Sequence, residues 1–305
     1  MKKIKLGTSH LEVGEISLGC MRMAGLSKIE AANVIETAQE VGIDLFDHAD
    51  IYGGGKSEEV FANAVDMNAS VRDKMIIQTK CGIRNGFFDF SKEHILASVD
   101  LSLERLKTDY IDILLLHRPD ALMEPEEVAE AFARLKESGK VRHFGVSNQN
   151  PMQIELLKKY LEVDLIVNQL QLSIMHTPII DAGLNVNMQH DPSVVRDSGV
   201  LEYSRLNDMT IQAWSPFQYG MIKGPFVGNK DFPEVNALLQ ELAEKKGVTD
   251  SAIAIAWILR HPAKIQPVVG SMNPKRIRDI AKASEITLTR EEWYELYRSA
   301  GNTLP

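Results

Sequence analysis

Val41-Gly42-Ile43-Asp44-Leu45-Phe46-Asp47-His48-Ala49-Asp50-Ile51-Tyr52-Gly53-Gly54-Gly55 decides the reading of this chain. An apolar run from Val41 to Phe46 ends in two carboxylates, a histidine, a tyrosine and three glycines. Buried parallel strands read as near-continuous apolar runs. Glycines after such a run let the backbone turn tightly or approach a ligand closely. Taken alone, the stretch is better read as a polar strand end with a solvated turn. What separates the two readings is whether other strands end in the same manner.

They do. Upstream, Ile16-Ser17-Leu18-Gly19 is a first buried strand, ending in Cys20-Met21-Arg22, and Ser27 with Glu30 forms a capping box for a helix that runs to Gly42. Downstream, Met75 to Thr79 ends at Lys80-Cys81-Gly82, Tyr110 to Leu116 at His117-Arg118-Pro119-Asp120, and Val141 to Val146 at Ser147-Asn148. Asp164 to Asn168 ends at Gln169, Thr210 to Ala213 at Trp214-Ser215-Pro216, and Gln266 to Val269 at Gly270-Ser271. Amphipathic helices alternate with these runs. One spans Lys92 to Leu106 with Ile95, Val99, Leu103 and Leu106 on one face, and another spans Val194 to Leu206. Eight strand–helix units in 305 residues predict an α/β fold, a closed (β/α)8 TIM barrel. Lys3 to Leu6 and Leu11 to Val13 flank Gly7-Thr8-Ser9-His10, a short N-terminal β-hairpin. A doubly wound sheet would want a GxGxxG turn after an early strand, and the sequence has none. No linker or low-complexity tract intervenes, so residues 1–305 are expected to form a single barrel domain.

Bulk properties narrow the partners. A formal charge of −8, from 34 basic and 42 acidic residues, argues against nucleic acid. Two cysteines, Cys20 and Cys81, give no disulfide framework and suit a reducing cytoplasm, the expected location. They have no ligand spacing for a metal. No signal-peptide layout opens the chain, and no apolar run is long enough for a bilayer, so no membrane partner is expected.

In such barrels the working groups sit at the C-terminal strand ends. Here those ends carry Met21-Arg22, Asp47, Asp50, Tyr52, Lys80, His117, Ser147-Asn148, Gln169, Trp214-Ser215 and Gly270-Ser271. Lys80 and His117 stand directly behind apolar strands, where an unpaired buried charge costs several kcal/mol. Separately, a lysine there can snorkel and a histidine can satisfy a local hydrogen bond. Together, Asp47, Lys80 and Tyr52 form a chemical chain. A free tyrosine has a pKa near 10; an adjacent ammonium lowers it, and a carboxylate behind holds the lysine charged. With His117 donating to a carbonyl oxygen, Tyr52 becomes a general acid for a developing alkoxide. None of these side chains supplies a hydride, so the chemistry requires a cofactor that does.

These motifs resemble the aldo-keto reductase family. Asp47-x-Ala49-x-x-Tyr52-Gly53, Lys80 and Leu115-Leu116-His117 match its catalytic tetrad in type, order and spacing. Gly145-Val146-Ser147-Asn148 and Asn168-Gln169 match its nicotinamide contacts, and Gly270-Ser271 with Arg276 resembles its adenosine-phosphate site. The resemblance covers essentially the whole chain, and the runs Asp47 to Gly54 and His117 to Asp120 look most like a bacterial monomeric branch. It implies NADPH-dependent reduction of small-molecule aldehydes or ketones by a monomer. Tyr52 would be the general acid, tuned by Lys80 and Asp47, with His117 orienting the carbonyl. The implied cofactor contacts are Met21, Arg22, Ser147, Asn148, Gln169, Trp214 against the nicotinamide ring, Ser215, Phe217, Gly220, Met221, Gly270, Ser271, Lys275 and Arg276. Asn273-Pro274 also opens a helix there, whose free N–H groups favour an anion, and an arginine in the first turn can grip a phosphate bidentately.

The sequence departs from the family pattern in places. Many relatives have a lysine where Gly270 stands, which leaves phosphate recognition to Arg276 with Lys275. His48 replaces the commoner threonine. The short end from Gly301 to Pro305 leaves little tail to close over a substrate, so specificity is expected from Met21, Arg22, Phe87, Phe88, Phe90, His117 and the Leu172–Pro192 loop. Asp50 bounds the pocket or caps the turn. The competing functions are an NADPH-binding regulatory subunit, which has less need of the intact set Asp47, Tyr52, Lys80 and His117, and a barrel hydrolase, which would want a metal cluster or a carboxylate pair beyond Asp47 and Asp50.

Overall fold

Eight parallel strands close on themselves in the computed structural model, which describes residues 1–302 and 304. Thr303 and Pro305, part of the short C-terminal end, lie outside the described residues. The chain opens with β1 (Lys3–Lys5) and β2 (Glu12–Gly14), an antiparallel pair in which Ile4 faces Val13. The barrel follows as β3 (Ser17–Gly19), β4 (Leu45–Asp47), β5 (Ile76–Cys81), β6 (Ile111–Leu116), β7 (Val141–Ser147), β8 (Leu165–Gln171), β9 (Thr210–Trp214) and β10 (Gln266–Val269). Each pairs with the next, and β10 closes on β3 through Val268–Ser17 and Val269–Leu18. The expected (β/α)8 barrel and hairpin are therefore the observed fold.

Sequence explains why these segments behave so. β6 is Ile-Asp-Ile-Leu-Leu-Leu and is buried at every position, with an inner and an outer layer both to satisfy. The helices that cover the barrel are one-sided. In the helix Pro125–Glu137, Val128, Ala131, Phe132 and Leu135 are buried, and Phe132 stacks on Phe144 of β7 with ring centroids 4.1 Å apart. Helices Asp250–Leu259 and Arg290–Ser299 are clasped by Trp257 and Trp293. Their rings stack at 4.7 Å, and each indole N–H donates to the other's backbone carbonyl at 3.0 Å.

The hairpin plugs the end of the barrel opposite the strand C-termini. Leu6 and Val13 are fully buried in one cluster with Leu45, Ile113, Leu115, Ile166 and Val167. Gly7 has φ +51° and lies so close to β8 that a Cβ would stand 2.4 Å from the Ile166 carbonyl oxygen. Its N–H donates to Thr210 Oγ1 at 2.8 Å.

Three departures bear on the site. β5 runs on to Cys81 and β8 to Gln171, so Lys80 and Gln169 belong to the barrel wall itself and not to the loops beyond it. The helix expected from Val194 begins only at Val200, because Ser198 (φ 58°) and Gly199 (φ 73°) take left-handed conformations. The Leu172–Pro192 segment contains a helix, Pro178–Leu184. It is tied to the last helix by Tyr297, whose hydroxyl donates to Asp181 Oδ1 at 2.7 Å. Among the described residues, no helix is long and apolar enough to cross a membrane.

Candidate active site

Lys80 is wholly buried at the inner face of β5. Its ammonium donates to both oxygens of Asp47, at 2.7 and 2.8 Å, and to the His48 carbonyl at 2.7 Å. The Tyr52 hydroxyl lies 3.4 Å from the same nitrogen. Asp47 closes β4, and Tyr52 comes five residues later on a turn of Tyr52–Gly55. Gly53, Gly54 and Gly55 all have positive φ (61°, 66° and 91°), a run that L side chains would strain. That turn is what folds Tyr52 back over Lys80. His117 follows β6, its ring edge-on to Tyr52 with centroids 6.0 Å apart. The four groups singled out from the sequence are thus gathered at one mouth.

The electrostatics depart from the sequence expectation at Tyr52. Burial, opposed by the nearby Lys80 cation and reinforced by Asp47, holds its hydroxyl above the ordinary tyrosine value, not below it. Tyr52 is therefore protonated at neutral pH. Burial alone would lower Lys80, but the Asp47 carboxylate and Tyr52 more than offset it and hold the ammonium above its usual range. His117 is pushed well below the usual histidine range by burial, with Lys80 and Arg118 adding to it. It is a neutral imidazole. Its Nδ1 is buried without a partner among the described residues, which leaves Nε2 as the ring nitrogen able to meet a ligand.

Beneath Asp47 lies a structure the sequence reading missed. Asp47 Oδ1 also accepts from Gln78 Nε2 at 2.5 Å and from Gln169 Nε2 at 3.0 Å. Both glutamines donate to Gln212 Oε1, at 2.8 and 3.1 Å. Gln212 donates in turn to Gln266 Oε1 at 2.9 Å, and Gln266 to the Gly14 carbonyl of the plug at 2.7 Å. All four glutamines are buried, so the ladder runs down the barrel axis from the carboxylate to the hairpin. The signal was available in the strand period of two: Gln78 stands two residues before Lys80 and Gln212 two before Trp214, on the same inward face.

Asp50 belongs outside this chain. Its N–H donates to the Lys80 carbonyl at 3.0 Å, but its carboxyl is pushed up to about 7 by burial and then by Glu58, with Arg105 opposing. Glu58 is itself buried and bridges Thr79 Oγ1 and Arg105 Nε, each at 2.7 Å. Arg105 packs beneath Gly55, where a Cβ would meet its Cδ at 2.8 Å. This cluster braces the Tyr52 turn from behind.

On the other side of the mouth, Trp214 Nε1 donates to Asn148 Oδ1 at 3.2 Å, Asn148 Nδ2 to Ser147 Oγ at 2.7 Å, and Ser147 Oγ to the Gln169 carbonyl at 3.0 Å. The four are thus one connected group. Arg22 crosses from β3 to β10 and donates to the Gly270 carbonyl at 3.0 Å. Asn273 caps the helix Pro274–Ala281 by accepting from the Arg276 N–H, and Ser271 Oγ accepts from the Asn273 N–H at 3.3 Å. Lys275 turns away to pair with Asp279 at 2.8 Å. Met21 and Met221 are exposed at the rim, with Ser215, Phe217 and Gly220 on the partly buried loop after β9. Of the aromatics expected to face the substrate, Phe87 and Phe88 are exposed. Phe90 is instead a core residue, packed so tightly under Gly82 that a Cβ there would meet its ring at 2.2 Å. His48 is fully buried and packs beside Phe61, with ring centroids 4.6 Å apart.

The arrangement can hold a proton on Tyr52, stabilise the anion left when it departs, and orient a carbonyl through His117. The model of the aldo/keto reductase family matches residues 3–299. A 6-dehydroglucose reductase of Agrobacterium fabrum is 36% identical, the match covering 98% of each chain. A thermostable aldo-keto reductase solved with the inhibitor epalrestat superposes with a TM-score of 0.78 at 26% identity, covering 98% of this chain and all (100%) of that one. An aldo/keto reductase of Klebsiella pneumoniae, solved with NADP and acetate, shares the fold with a TM-score of 0.77 at 22% identity, covering 97% and 94%. With the closed barrel and the converging strand ends, the chain belongs to the aldo/keto reductase family.

Proposed function

We propose that this chain reduces aldehydes or ketones to alcohols with NADPH as the hydride source and Tyr52 as the general acid, and that residues 1–305 work as one domain. One observation carries the reading: a fully buried Lys80 bonded to both Asp47 oxygens and 3.4 Å from the Tyr52 hydroxyl. An ammonium this desolvated stays charged only because Asp47 pairs it. Here it stabilises the tyrosinate that remains once the proton has gone to the carbonyl oxygen. His117, neutral, donates from Nε2 to that oxygen and fixes its position.

The residues present fit the cofactor. Gln169 Nε2 is committed to Asp47 and Gln212, which leaves its Oε1 as an acceptor for a carboxamide N–H, with Ser147 and Asn148 beside it. Trp214, anchored by Asn148, offers its face to the nicotinamide ring. Arg276, whose side chain has no hydrogen-bonding partner among the described residues, and Ser271 suit the adenosine phosphate. When bound, the reduced nicotinamide supplies the hydride. The Klebsiella pneumoniae relative of the same fold was solved with NADP.

A carbonyl panel run with NADPH and with NADH tests the proposal. Loss of reduced-nicotinamide absorbance is expected with reactive aldehydes. Tyr52→Phe should abolish it while leaving cofactor binding, read by tryptophan quenching, in place. Turnover that survives Tyr52→Phe would remove Tyr52 as the acid. Tight NADPH binding with no turnover across the panel would favour the regulatory-subunit reading.

A further inference from the structure

Arg118 directly follows His117, the ring held below Tyr52, and is half-buried at the barrel mouth. Its guanidinium carbon stands 5.4 Å from the centroid of the Trp214 ring. Burial lowers its proton affinity, with Tyr52 opposing. From the other side, His117 feels the same cation. Arg118 therefore follows the imidazole that would orient the carbonyl and stands over the Trp214 ring at the mouth.

It has no hydrogen-bonding or ion-pair partner among the described residues. The acid within reach in sequence is Asp120, and both its oxygens are engaged elsewhere: Oδ2 accepts from the Phe90 N–H and Oδ1 from the Leu122 N–H, each at 2.9 Å. Of the two carboxyl groups at and just after the end of β4, Asp47 is taken by Lys80, and Asp50 lies with Glu58 and Arg105 behind the Tyr52 turn. The contrast with the other internal arginines is informative. Arg72 pairs with Asp112 at 2.6 Å and Arg105 with Glu58 at 2.7 Å. Partly desolvated guanidinium groups are normally matched to a carboxylate in this way, and the described residues supply none to Arg118.

We propose that Arg118 binds a carboxylate carried by the substrate itself, so that the preferred substrates are aldehydes or ketones bearing a second, anionic group. This rests on the reductase reading above and names the substrate class within it. The guanidinium fork donates two parallel N–H bonds to the oxygens of a carboxylate, and the Trp214 ring lies beneath it. The substrate is then held at two points, its carbonyl oxygen by Tyr52 and His117 and its carboxylate by Arg118.

Two para-substituted aldehydes of nearly equal size, 4-carboxybenzaldehyde and 4-methylbenzaldehyde, separate this from simple apolar selection. The wild-type ratio of kcat/KM should favour the carboxylate by at least about tenfold, the scale of a charge-assisted hydrogen bond. Arg118→Gln should lower that ratio by a similar factor, mainly through KM, and Arg118→Lys should recover part of it. Turnover of the methyl compound alone establishes the reductase reading. A wild-type ratio near one, or a ratio unchanged in Arg118→Gln, overturns the substrate assignment and leaves the reductase standing. Benzoate binding to the NADP-loaded protein, followed by tryptophan fluorescence, needs no turnover. A Kd weakened about tenfold in Arg118→Gln supports the proposal even if neither aldehyde reacts, and an unchanged Kd refutes it.

Discussion

Replacing Asp47 with asparagine probes the centre of the site at nearly constant volume. Asp47 Oδ1 accepts from Lys80, Gln78 and Gln169, and Oδ2 from Lys80 again. Asparagine cannot satisfy this set in either orientation. With its amide nitrogen toward Lys80 it meets an ammonium 2.8 Å away; turned over, it meets two glutamine N–H groups at 2.5 and 3.0 Å. Removing one partner of a buried ion pair costs about 3–5 kcal/mol. An upper limit comes from the alternative of deprotonating Lys80. At pH 7 an ordinary lysine lies about 3.4 units below its pKa, which at about 1.36 kcal/mol per unit is close to 4.6 kcal/mol. Both routes place the loss near 3–5 kcal/mol. Urea unfolding at pH 7 measures it. Because the folded value of Lys80 is raised, the stability it contributes is fully present below the unfolded value of about 10.4 and is lost only as pH rises through the folded one. The gap between wild type and Asp47→Asn should therefore be flat from pH 6 to 9 where Lys80 stays charged in the variant, and should narrow by about 1.36 kcal/mol per pH unit where it deprotonates. Adding Lys80→Met to Asp47→Asn removes the stranded charge and should recover part of the loss. A single-variant loss under about 1 kcal/mol, or a double variant weaker than Asp47→Asn alone, would refute the pair as described.

Two further substitutions test the surroundings. Asp50, with its carboxyl raised to about 7, contributes stability at low pH that is lost as pH climbs through that value. Asp50→Asn should therefore gain on wild type between about pH 4 and 7 and hold a constant advantage above, and a denaturant-midpoint difference that stays flat across this window would contradict it. Gln78→Leu deletes one donor to Asp47 and leaves Gln212 Oε1 with Gln169 alone. A loss of about 1.5–3 kcal/mol in urea is expected, as for a hydrogen bond to a charged group, together with a shifted pH profile of turnover. Wild-type values of both would show that the ladder does not position Asp47.

Much of this molecule is legible in sequence because parallel strands covered on both faces are mostly apolar. Ile111 to Leu116 announces itself for that reason, and so does Lys80, a charge with no business in such a run unless paired. The closing of the barrel follows from repetition. What sequence did not reveal depends on register or on competition between opposing terms. Gln78, Gln169, Gln212 and Gln266 meet only because four separate strands are staggered to bring them together. The sign of the Tyr52 shift is a balance between burial and Lys80, and the order of amino acids gives the second influence but not the first. Phe90 read as a loop aromatic until the closeness of Gly82 showed what lies beneath that loop. The late start of the helix at Val200 rests on Ser198, a non-glycine residue in a left-handed conformation that no pattern signals.

The paired indoles of Trp257 and Trp293 have an optical consequence. At 4.7 Å and 7° from parallel, their transitions couple, and a split circular-dichroism band is expected from that pair. The chain has three tryptophans, and the third, Trp214, stands apart at the mouth. Dichroism therefore follows the docking of the last helix on the barrel, while ligand-dependent emission follows the mouth. Heating or denaturant can be watched through both channels in one sample, and any difference between the two midpoints separates loosening of the C-terminal helices from collapse of the site.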